Sequence, residues 1–311
     1  MPASMHLQVS VLIIHANAVF AYGSKTTVNV SDTKITTTKD NSGGIMTTGG
    51  ATMNATNLKV NTSGNSSAAI RSDRGGGNVK VTKGTYKTTG VGSPVIYSTA
   101  KIKVNNAKLT SSKSEAVVIE GSNSVNLKDC TVNGNNTKKN GQAKYLDNVL
   151  IYQSMSGDAS SGASSFTMNG GTMTSKSGAM FHVTNTTCTI NLTNTTLNLD
   201  NSLLLTESAD NWGTSGSNGG HATLNATKQT LAGTIKIGSS SSLKLNLKDD
   251  STYSGKINSS AQKGTVKVTV GSGCTWKLTG NSHVSSLSVS KSGKIDTNGH
   301  KLYVNGKLYK G

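Results

Sequence analysis

The chain has 311 residues, of which 33% are hydrophobic and only 4% aromatic, with 35 glycines and 2 prolines. Soluble globular domains usually contain nearer 45–50% apolar residues, so this composition argues against a wide compact core. Charged residues make up 14% of the chain and give a net charge of +17. That low charged fraction, together with recurring short patches of Val, Ile and Leu, also argues against a disordered chain.

Lysine supplies almost all of the positive charge, since Arg71 and Arg74 are the only arginines. Both ends of the chain are basic, and they flank residues 156–220, where acids outnumber bases. Such a field attracts polyanions. Proteins that read nucleic-acid sequence favour arginine forks and stacking aromatics, and both are scarce here. We therefore expect diffuse attraction to polyanions and no specific nucleic-acid recognition. The alternative is that the lysines serve solubility and protect strand edges.

Residues 1–17 are predicted to be a leader or a truncated coil. Residues 7–14 are apolar and Ala16-Asn17-Ala18 resembles a signal cleavage site, but no Lys or Arg precedes them. We favour a reading frame that begins inside a larger protein, with the export signal missing. No run of about 18 apolar residues is present, so no transmembrane segment is predicted.

From residue 18 onward, a short apolar strand that ends in small polar residues recurs eight times. We take the third residue of each copy as its anchor, and the anchors are residues 20, 45, 70, 96, 118, 150, 181 and 204. Between anchors lie two shorter alternating segments, for example residues 102–104 and 107–109. Each period therefore contains three short strands and three corners.

One such period cannot bury its inward side chains alone, whereas stacked periods bury a continuous column. Each coil then adds about 4.8 Å, the spacing of hydrogen-bonded strands. The pattern predicts an all-β parallel β-helix of about 11–12 coils, each with three short strands, over residues 18–273. Residues 274–311 are predicted to form capping coils.

Three segments depart from the repeat, at residues 137–146, 157–164 and 210–220, and are predicted to be loops. Long loops on a solenoid often carry the binding function, and drifted insertions are the alternative. Cys130, Cys188 and Cys274 lie far apart without metal-ligand spacing, so we predict no disulfide framework, no metal site and no cofactor.

The C-terminal segment from Trp276-Lys-Leu-Thr-Gly280 to Val304 resembles the segment that ends the pertactin-like passenger domains of autotransporters. Together with the repeat, this resemblance covers about residues 18–311. It implies a right-handed β-helix, since such crossovers are nearly always right-handed. It also implies a bacterial adhesin-like protein that is secreted or attached to the cell surface.

No catalytic residue is predicted. Glycoside hydrolysis requires two carboxylates at a fixed separation, and the only acidic pair, Asp249-Asp250, lies in a probable corner. The acids on the recurring strand, Asp73, Glu120 and Glu207, belong to separate coils. A polysaccharide lyase or glycoside hydrolase of the β-helix class remains the enzymatic alternative.

The residues that follow the anchors form a column that should face outward if the anchors face inward. This column is unusually apolar and aromatic, which often marks a binding site, and Tyr97 beside Tyr152 could stack on sugar rings. The predicted binding residues are Arg71, Tyr97, Ile119, Ile151, Tyr152 and His182. The alternative is that a loop covers this face, or that both columns are buried.

The sequence thus predicts a non-enzymatic, extracellular adhesin-like or stalk protein that binds polyanionic glycans or cell-wall polymers. Its expected partners are a cell-surface or extracellular polysaccharide or a host surface, and it is expected to be a monomer. A purely structural surface spacer is the further alternative.

Overall fold

A computed structural model describes residues 7–139 and 142–310 of the chain. This part of the chain is all-β and contains no helix. Its strands are β1 (Gln8–Val11), β2 (Val19–Tyr22), β3 (Thr27–Ser31), β4 (Lys34–Thr37), β5 (Ile45–Thr48), β6 (Ala51–Thr62), β7 (Ile70–Ser72), β8 (Gly77–Thr88), β9 (Ile96–Ser98), β10 (Lys101–Asn105), β11 (Lys108–Ser111), β12 (Val117–Glu120), β13 (Ser124–Lys128), β14 (Thr131–Gly134), β15 (Asp147–Tyr152), β16 (Ala163–Asn169), β17 (Thr172–Ser175), β18 (Ala179–Thr184), β19 (Thr186–Thr193), β20 (Thr196–Leu199), β21 (Leu203–Glu207), β22 (Gly220–Thr227), β23 (Thr230–Ile237), β24 (Ser242–Lys248), β25 (Thr252–Ile257), β26 (Thr265–Val270), β27 (Thr275–Leu278), β28 (Ser282–Val284), β29 (Ser286–Val289), β30 (Lys294–Asp296), β31 (Leu302–Val304) and β32 (Lys307–Leu308).

Two long parallel sheets form the walls of a β-solenoid of about 12 turns, which confirms the predicted architecture. Sheet A has 17 strands and sheet B has 12. Each turn contributes one strand to sheet B and either one or two strands to sheet A, and five of the turns contribute two. The hydrogen-bonded neighbour of a strand is therefore the equivalent strand one turn away, for example β10 between β8 and β13.

Strict alternation of side chains builds the core. In β10, Ile102 and Val104 are buried while Lys101 and Lys103 are exposed. Successive side chains of a strand point to opposite faces, so one face of each strand fills the interior and the other meets solvent. The interior is narrow enough for Phe166 of sheet A and Phe181 of sheet B to contact each other within the shared core, with ring centroids 5.4 Å apart.

The corners between strands use residues that adopt positive φ, which Asn and Asp tolerate better than most residues. Asn57 has φ 53° and Asp32 has φ 48°, and they occupy equivalent corners of neighbouring turns. The Asn57 amide donates to the Asp32 carboxylate at 2.7 Å, so the corners stack on one another as the strands do.

The two ends of the solenoid differ. At the N-terminal end, β1 pairs in parallel with β4, so residues 8–11 belong to sheet A. The first six residues of the predicted leader lie outside the described residues. At the C-terminal end, β28, β31 and β32 form a separate three-stranded sheet in which β31 and β32 are antiparallel.

The predicted loops lie at the outer face of sheet B. Described residues 142–146 and residues 208–219 contribute Ala143 and Trp212 to a second apolar cluster, which also contains Val118, Leu150 and Tyr152 of the sheet. Residues 140 and 141 of the first loop lie outside the described residues. These loops place the candidate site on the outside of the solenoid, over β12, β15 and β18.

Candidate functional site

The register of sheet B corrects the predicted outward column. Val19 pairs with Ile45, Ile96 with Val117 and Val117 with Val149, so the predicted anchors at residues 20, 118 and 150 lie one residue too far along the chain. Phe181 pairs with Leu205, so the predicted anchor at residue 204 lies one residue too early. A shift of one residue moves every side chain to the other face of a strand. The outward column is therefore Phe20, Met46, Arg71, Tyr97, Val118, Leu150, His182 and Thr206.

Two of the six predicted binding residues consequently face the interior. Ile119 and Ile151 are fully buried in the main core, so their predicted place on an outer surface is wrong. The apolar side chains that do point outward are Val118 and Leu150, and the loops bury them in the second apolar cluster. The sequence offered the alternative that a loop covers this face, and the structure has such a loop here.

The other four predicted residues lie on the outer side of sheet B. Arg71 and Tyr97 are direct neighbours in the register, and Tyr152 lies close to Tyr97 because both hydroxyls reach the same carboxylate. His182 lies in the same column as Tyr97 but three turns away. The structure thus brings Arg71, Tyr97 and Tyr152 together and leaves His182 in a separate cluster.

Glu120 is the centre of the first cluster. Its carboxylate is fully buried and accepts hydrogen bonds from the hydroxyls of Tyr97, Tyr152 at 3.1 Å, Ser154 and Ser156 at 3.4 Å. Burial and the nearby Glu120 raise the pKa of the Tyr97 hydroxyl above its usual range, so this tyrosine stays a neutral donor. The Glu120 carboxylate therefore joins three successive turns of sheet B, those of β9, β12 and β15, to the loop that follows β15.

Trp212 covers this cluster from the 208–219 loop. Its ring is packed against Tyr152, with ring centroids 4.6 Å apart and planes inclined by 57°. The backbone carbonyls of Trp212 and Asp210 both accept from the Asn218 side chain, at 2.7 and 2.8 Å, which closes the loop on itself. The ring thus has a fixed position over the sheet.

His182 lies in a second buried cluster between two acids. Its Nδ1 is 2.9 Å from the Asp147 carboxylate, and its Nε2 is 3.9 Å from the Asp210 carboxylate. The edge of the Tyr145 ring approaches the imidazole with a centroid distance of 5.3 Å. Asp210 also accepts from the backbone N–H of Lys144 at 2.6 Å. This cluster joins both loops to the sheet, and the predicted binding role of His182 stays a prediction for a side chain that is fully buried.

Two further buried acids, Glu207 and Glu115, lie on or next to strands of sheet B. Glu207 points inward in the column of Val183 and Ile237, and burial raises the pKa of its carboxyl well above the usual value. One of its oxygens accepts from the Ala222 N–H at 3.3 Å, and the other has no hydrogen-bond partner. Burial, with Asp147 next in importance, raises the pKa of Glu115 to about 7. A neutral carboxyl is the form that such surroundings favour.

Sheet A differs from sheet B in the charge of its side chains. Its strands, all within the described part of the chain, contain no Asp or Glu and carry exposed lysines on many turns: Lys34, Lys59, Lys80, Lys83, Lys87, Lys101, Lys103, Lys108, Lys128, Lys244, Lys248 and Lys267. We call this surface the lysine face. The ion pairs found among residues 7–139 and 142–310 involve arginine or histidine and none involves a lysine.

Several of these lysines face one another across neighbouring turns. Lys34 pairs with Lys59, and Lys80 pairs with Lys103. Like charges directly opposite in a sheet are destabilising. The lysine face therefore carries a charge that the described side chains do not neutralise.

Residues 7–139 and 142–310 contain no group of three or more His, Cys, Asp or Glu placed to hold a metal ion. The three cysteines are free and buried. Within the same residues, no helix is long and apolar enough to cross a membrane.

Comparison with protein-family models, curated proteins and solved structures finds no significant match to the chain. The function must therefore be argued from the residues themselves. Sequence reasoning found Tyr97 and Tyr152 but missed Trp212, Asp147 and Asp210. The one available signal for Trp212 was an aromatic residue in a Gly- and Ser-rich loop of a chain that is poor in aromatics.

Proposed function

We propose that this protein is a non-enzymatic, polyanion-binding β-solenoid that attaches to acidic glycans or cell-wall polymers through its lysine face. The observation that carries the proposal is the composition of sheet A, whose strands present lysines on its exposed side and no acid.

The repeat of the solenoid suits a polymeric ligand. Equivalent positions on neighbouring turns lie about 4.8 Å apart, so the lysines form a regular array along a rigid surface. A polyanion also repeats its charge along its length, and several weak contacts made together yield a useful affinity. Bound anions would remove the repulsion between facing pairs such as Lys80 and Lys103.

Lysine rather than arginine provides this charge, and this supports charge-driven binding. The ammonium group is a compact, strongly hydrated charge on a flexible stem, without the planar fork that reads a particular group. We therefore expect binding that depends on charge density and salt rather than on the identity of one sugar.

The resemblance of residues 18–311 to autotransporter passenger domains supports an extracellular or cell-surface location for this activity. A long solenoid would act there as a stalk that holds the lysine face away from the surface. The expectation of a monomer belongs to the same proposal.

Affinity electrophoresis of the full chain through gels that contain pectin, teichoic acid or a neutral glucan tests this function. We expect retardation by the two polyanions at low salt, loss of that retardation at high salt, and none by the neutral glucan. Equal retardation by the glucan, or no retardation by either polyanion at low salt, would overturn the proposal.

A matched pair of triple variants assigns the binding to sheet A. Lys80→Gln, Lys101→Gln and Lys103→Gln together remove three charges from the lysine face. Lys277→Gln, Lys291→Gln and Lys294→Gln remove three exposed charges from sheet B and the nearby C-terminal turns. The first triple should reduce the slope of log affinity against log salt by roughly one unit per lost contact, by analogy with phosphate polymers. Equal losses in both triples would contradict a site on sheet A.

A further inference from the structure

Sheet B carries a pocket whose charge is opposite to that of the lysine face. It has a volume of about 460 Å³ and lies between the loop after β15 and the 208–219 loop. The lining residues that matter for its chemistry are Tyr97, Tyr152, Trp212, Glu120, Asp158 and Met155. We call it the aromatic pocket.

The negative charge at the base of this pocket has no cationic partner. The Glu120 carboxylate is fully buried, and among the described residues no Lys, Arg or His nitrogen lies within 4.0 Å of it. Both nearby arginines are engaged elsewhere, since Arg71 pairs with Asp73 at 2.9 Å and Arg74 pairs with Asp158. Hydroxyl donors stabilise the Glu120 carboxylate but do not cancel its charge.

The walls of the pocket favour a cation of an apolar kind. Tyr152 and Trp212 pack against each other with their planes inclined by 57°, and both rings line the pocket together with Tyr97. The faces of aromatic rings attract cations, and the attraction is strongest for cations that lose their water easily. Met155, which is 74% exposed, adds a flexible apolar side chain at the rim. No group of three or more His, Cys, Asp or Glu among the described residues is placed here to hold a metal ion.

We infer that the aromatic pocket binds an organic cation of the alkylammonium class, with a quaternary ammonium group as the best fit. The charged group lies against Tyr97, Tyr152 and Trp212, with its methyl groups in contact with the rings. The Glu120 carboxylate, one layer deeper, provides the electrostatic attraction, while Asp158 at the side keeps the charge of Arg74 paired. This site is independent of the polyanion-binding function proposed for sheet A and would stand if that function failed.

Two small probes that share one shape but differ in charge separate the contribution of charge to binding from that of shape. Choline carries a quaternary nitrogen, and 3,3-dimethylbutan-1-ol carries a carbon at the same place and is neutral. Isothermal titration of the full chain should give saturable binding of choline and binding of the neutral alcohol that is weaker by about tenfold or more. Choline should also change the fluorescence of Trp212, and this change should be absent in Trp212→Phe, because the other tryptophan, Trp276, is buried in the core.

Single variants of the chain then test which carboxylate is responsible for binding the cation. Glu120→Gln should weaken choline about tenfold and leave the neutral alcohol unchanged, because it removes the charge and keeps the shape. Asp158→Asn leaves the Arg74 charge unpaired at the side of the pocket. Its expected effect is a two- to threefold weakening of choline, roughly what one partly screened charge contributes. Asp32→Asn removes an exposed charge at a corner of sheet A and is the matched control, with no expected effect.

Several outcomes would overturn the inference. They are equal binding of both probes, unchanged choline binding in both pocket variants, or no choline binding by the folded wild-type chain up to about 50 mM, a limit that corresponds to a negligible affinity. Saturable binding of methyl glucoside but not of choline would assign the pocket to neutral sugars instead. If Glu120→Gln fails to fold by circular dichroism, the comparison of Asp158→Asn with Asp32→Asn decides the matter.

Discussion

Lys80 and Lys103 face each other on neighbouring turns of sheet A, so a single substitution can turn their repulsion into attraction. Strands in a sheet are about 4.8 Å apart. At about 5 Å in water, two unit charges interact by about 0.8 kcal/mol. Lys80→Glu therefore changes the stability by about twice that value, roughly 1.6 kcal/mol, before screening. At 0.15 M salt the Debye length is about 8 Å, and the expected gain falls to about 0.9 kcal/mol.

Thermal unfolding followed by circular dichroism measures this gain. For a chain of this size we expect Lys80→Glu to raise Tm by about 1–2 °C at 0.15 M salt. Lys80→Gln removes the repulsion without adding an attraction, so it should give about half of that increase. Both differences should shrink to about a third of these values at 1 M salt, where the Debye length is about 3 Å. Lys80→Glu should at the same time reduce binding to polyanions.

Higher stability together with weaker binding would show that the wild-type surface keeps a destabilising charge repulsion because its ligand requires those charges. A Lys80→Glu variant that is less stable than Lys80→Gln at low salt would refute the facing geometry. Differences that persist unchanged at 1 M salt would show that packing or strand propensity, and not charge, causes them.

Three further predictions concern the core and the loops. Ile151→Ala should destabilise the chain by about 2–5 kcal/mol, seen as a lower Tm, because Ile151 fills the interior. The wild type should lose stability as pH rises above 4.5, the ordinary pKa of a Glu carboxyl, and Glu207→Gln should abolish this loss. The raised pKa of Glu207 makes the protonated form favourable in the folded state, and its contribution is complete below that value. Melting at pH 5 and pH 8 measures the difference, and identical pH profiles would count against it. Asp210→Ala should speed hydrogen exchange in residues 208–219, with little change in the core, because it removes the bond to Lys144. Unchanged exchange in that loop would mean that the His182 cluster does not hold it.

The repeat was predictable from the sequence because most strands have one buried face and one solvent-exposed face. In β24 and β26 the buried positions hold Leu or Val, and the exposed positions hold Lys, Asn, Ser or Thr. A period of two is visible wherever these faces differ. The fold class and the approximate number of turns follow from it, together with the positions of the three loops.

The register of sheet B was not predictable over β12 and β15. All four residues of β12 are buried, as are all six of β15. Val118 and Leu150 point outward but are covered by the loops, so they are as apolar as the inward-facing Ile119 and Ile151. When both faces of a strand are buried, the alternation disappears from the sequence, and a shift of one residue cannot be detected.

The candidate site was harder to predict than the fold because its contacts join residues that are far apart in the chain. Tyr97 and Glu120 are 23 residues apart, and Asp210 reaches back 66 residues to the Lys144 backbone. Pairing within the repeat places Tyr97 near Glu120. The return of the 208–219 loop onto β15 follows no repeat and depends on Trp212 finding Tyr152.

The loss of register and the formation of the aromatic pocket have one physical cause. Where sheet B has to bury its outer face, it needs apolar residues there, such as Val118 and Leu150, and it needs loops long enough to cover them. The same loops bring polar and aromatic side chains over the sheet and so enclose the space above Glu120. Sheet A carries no such covering cluster, keeps its alternation and exposes its lysines. The part of the chain in which the repeat is hardest to follow is therefore the part in which a small ligand can be enclosed, while the regular part can offer only an extended surface to a polymer.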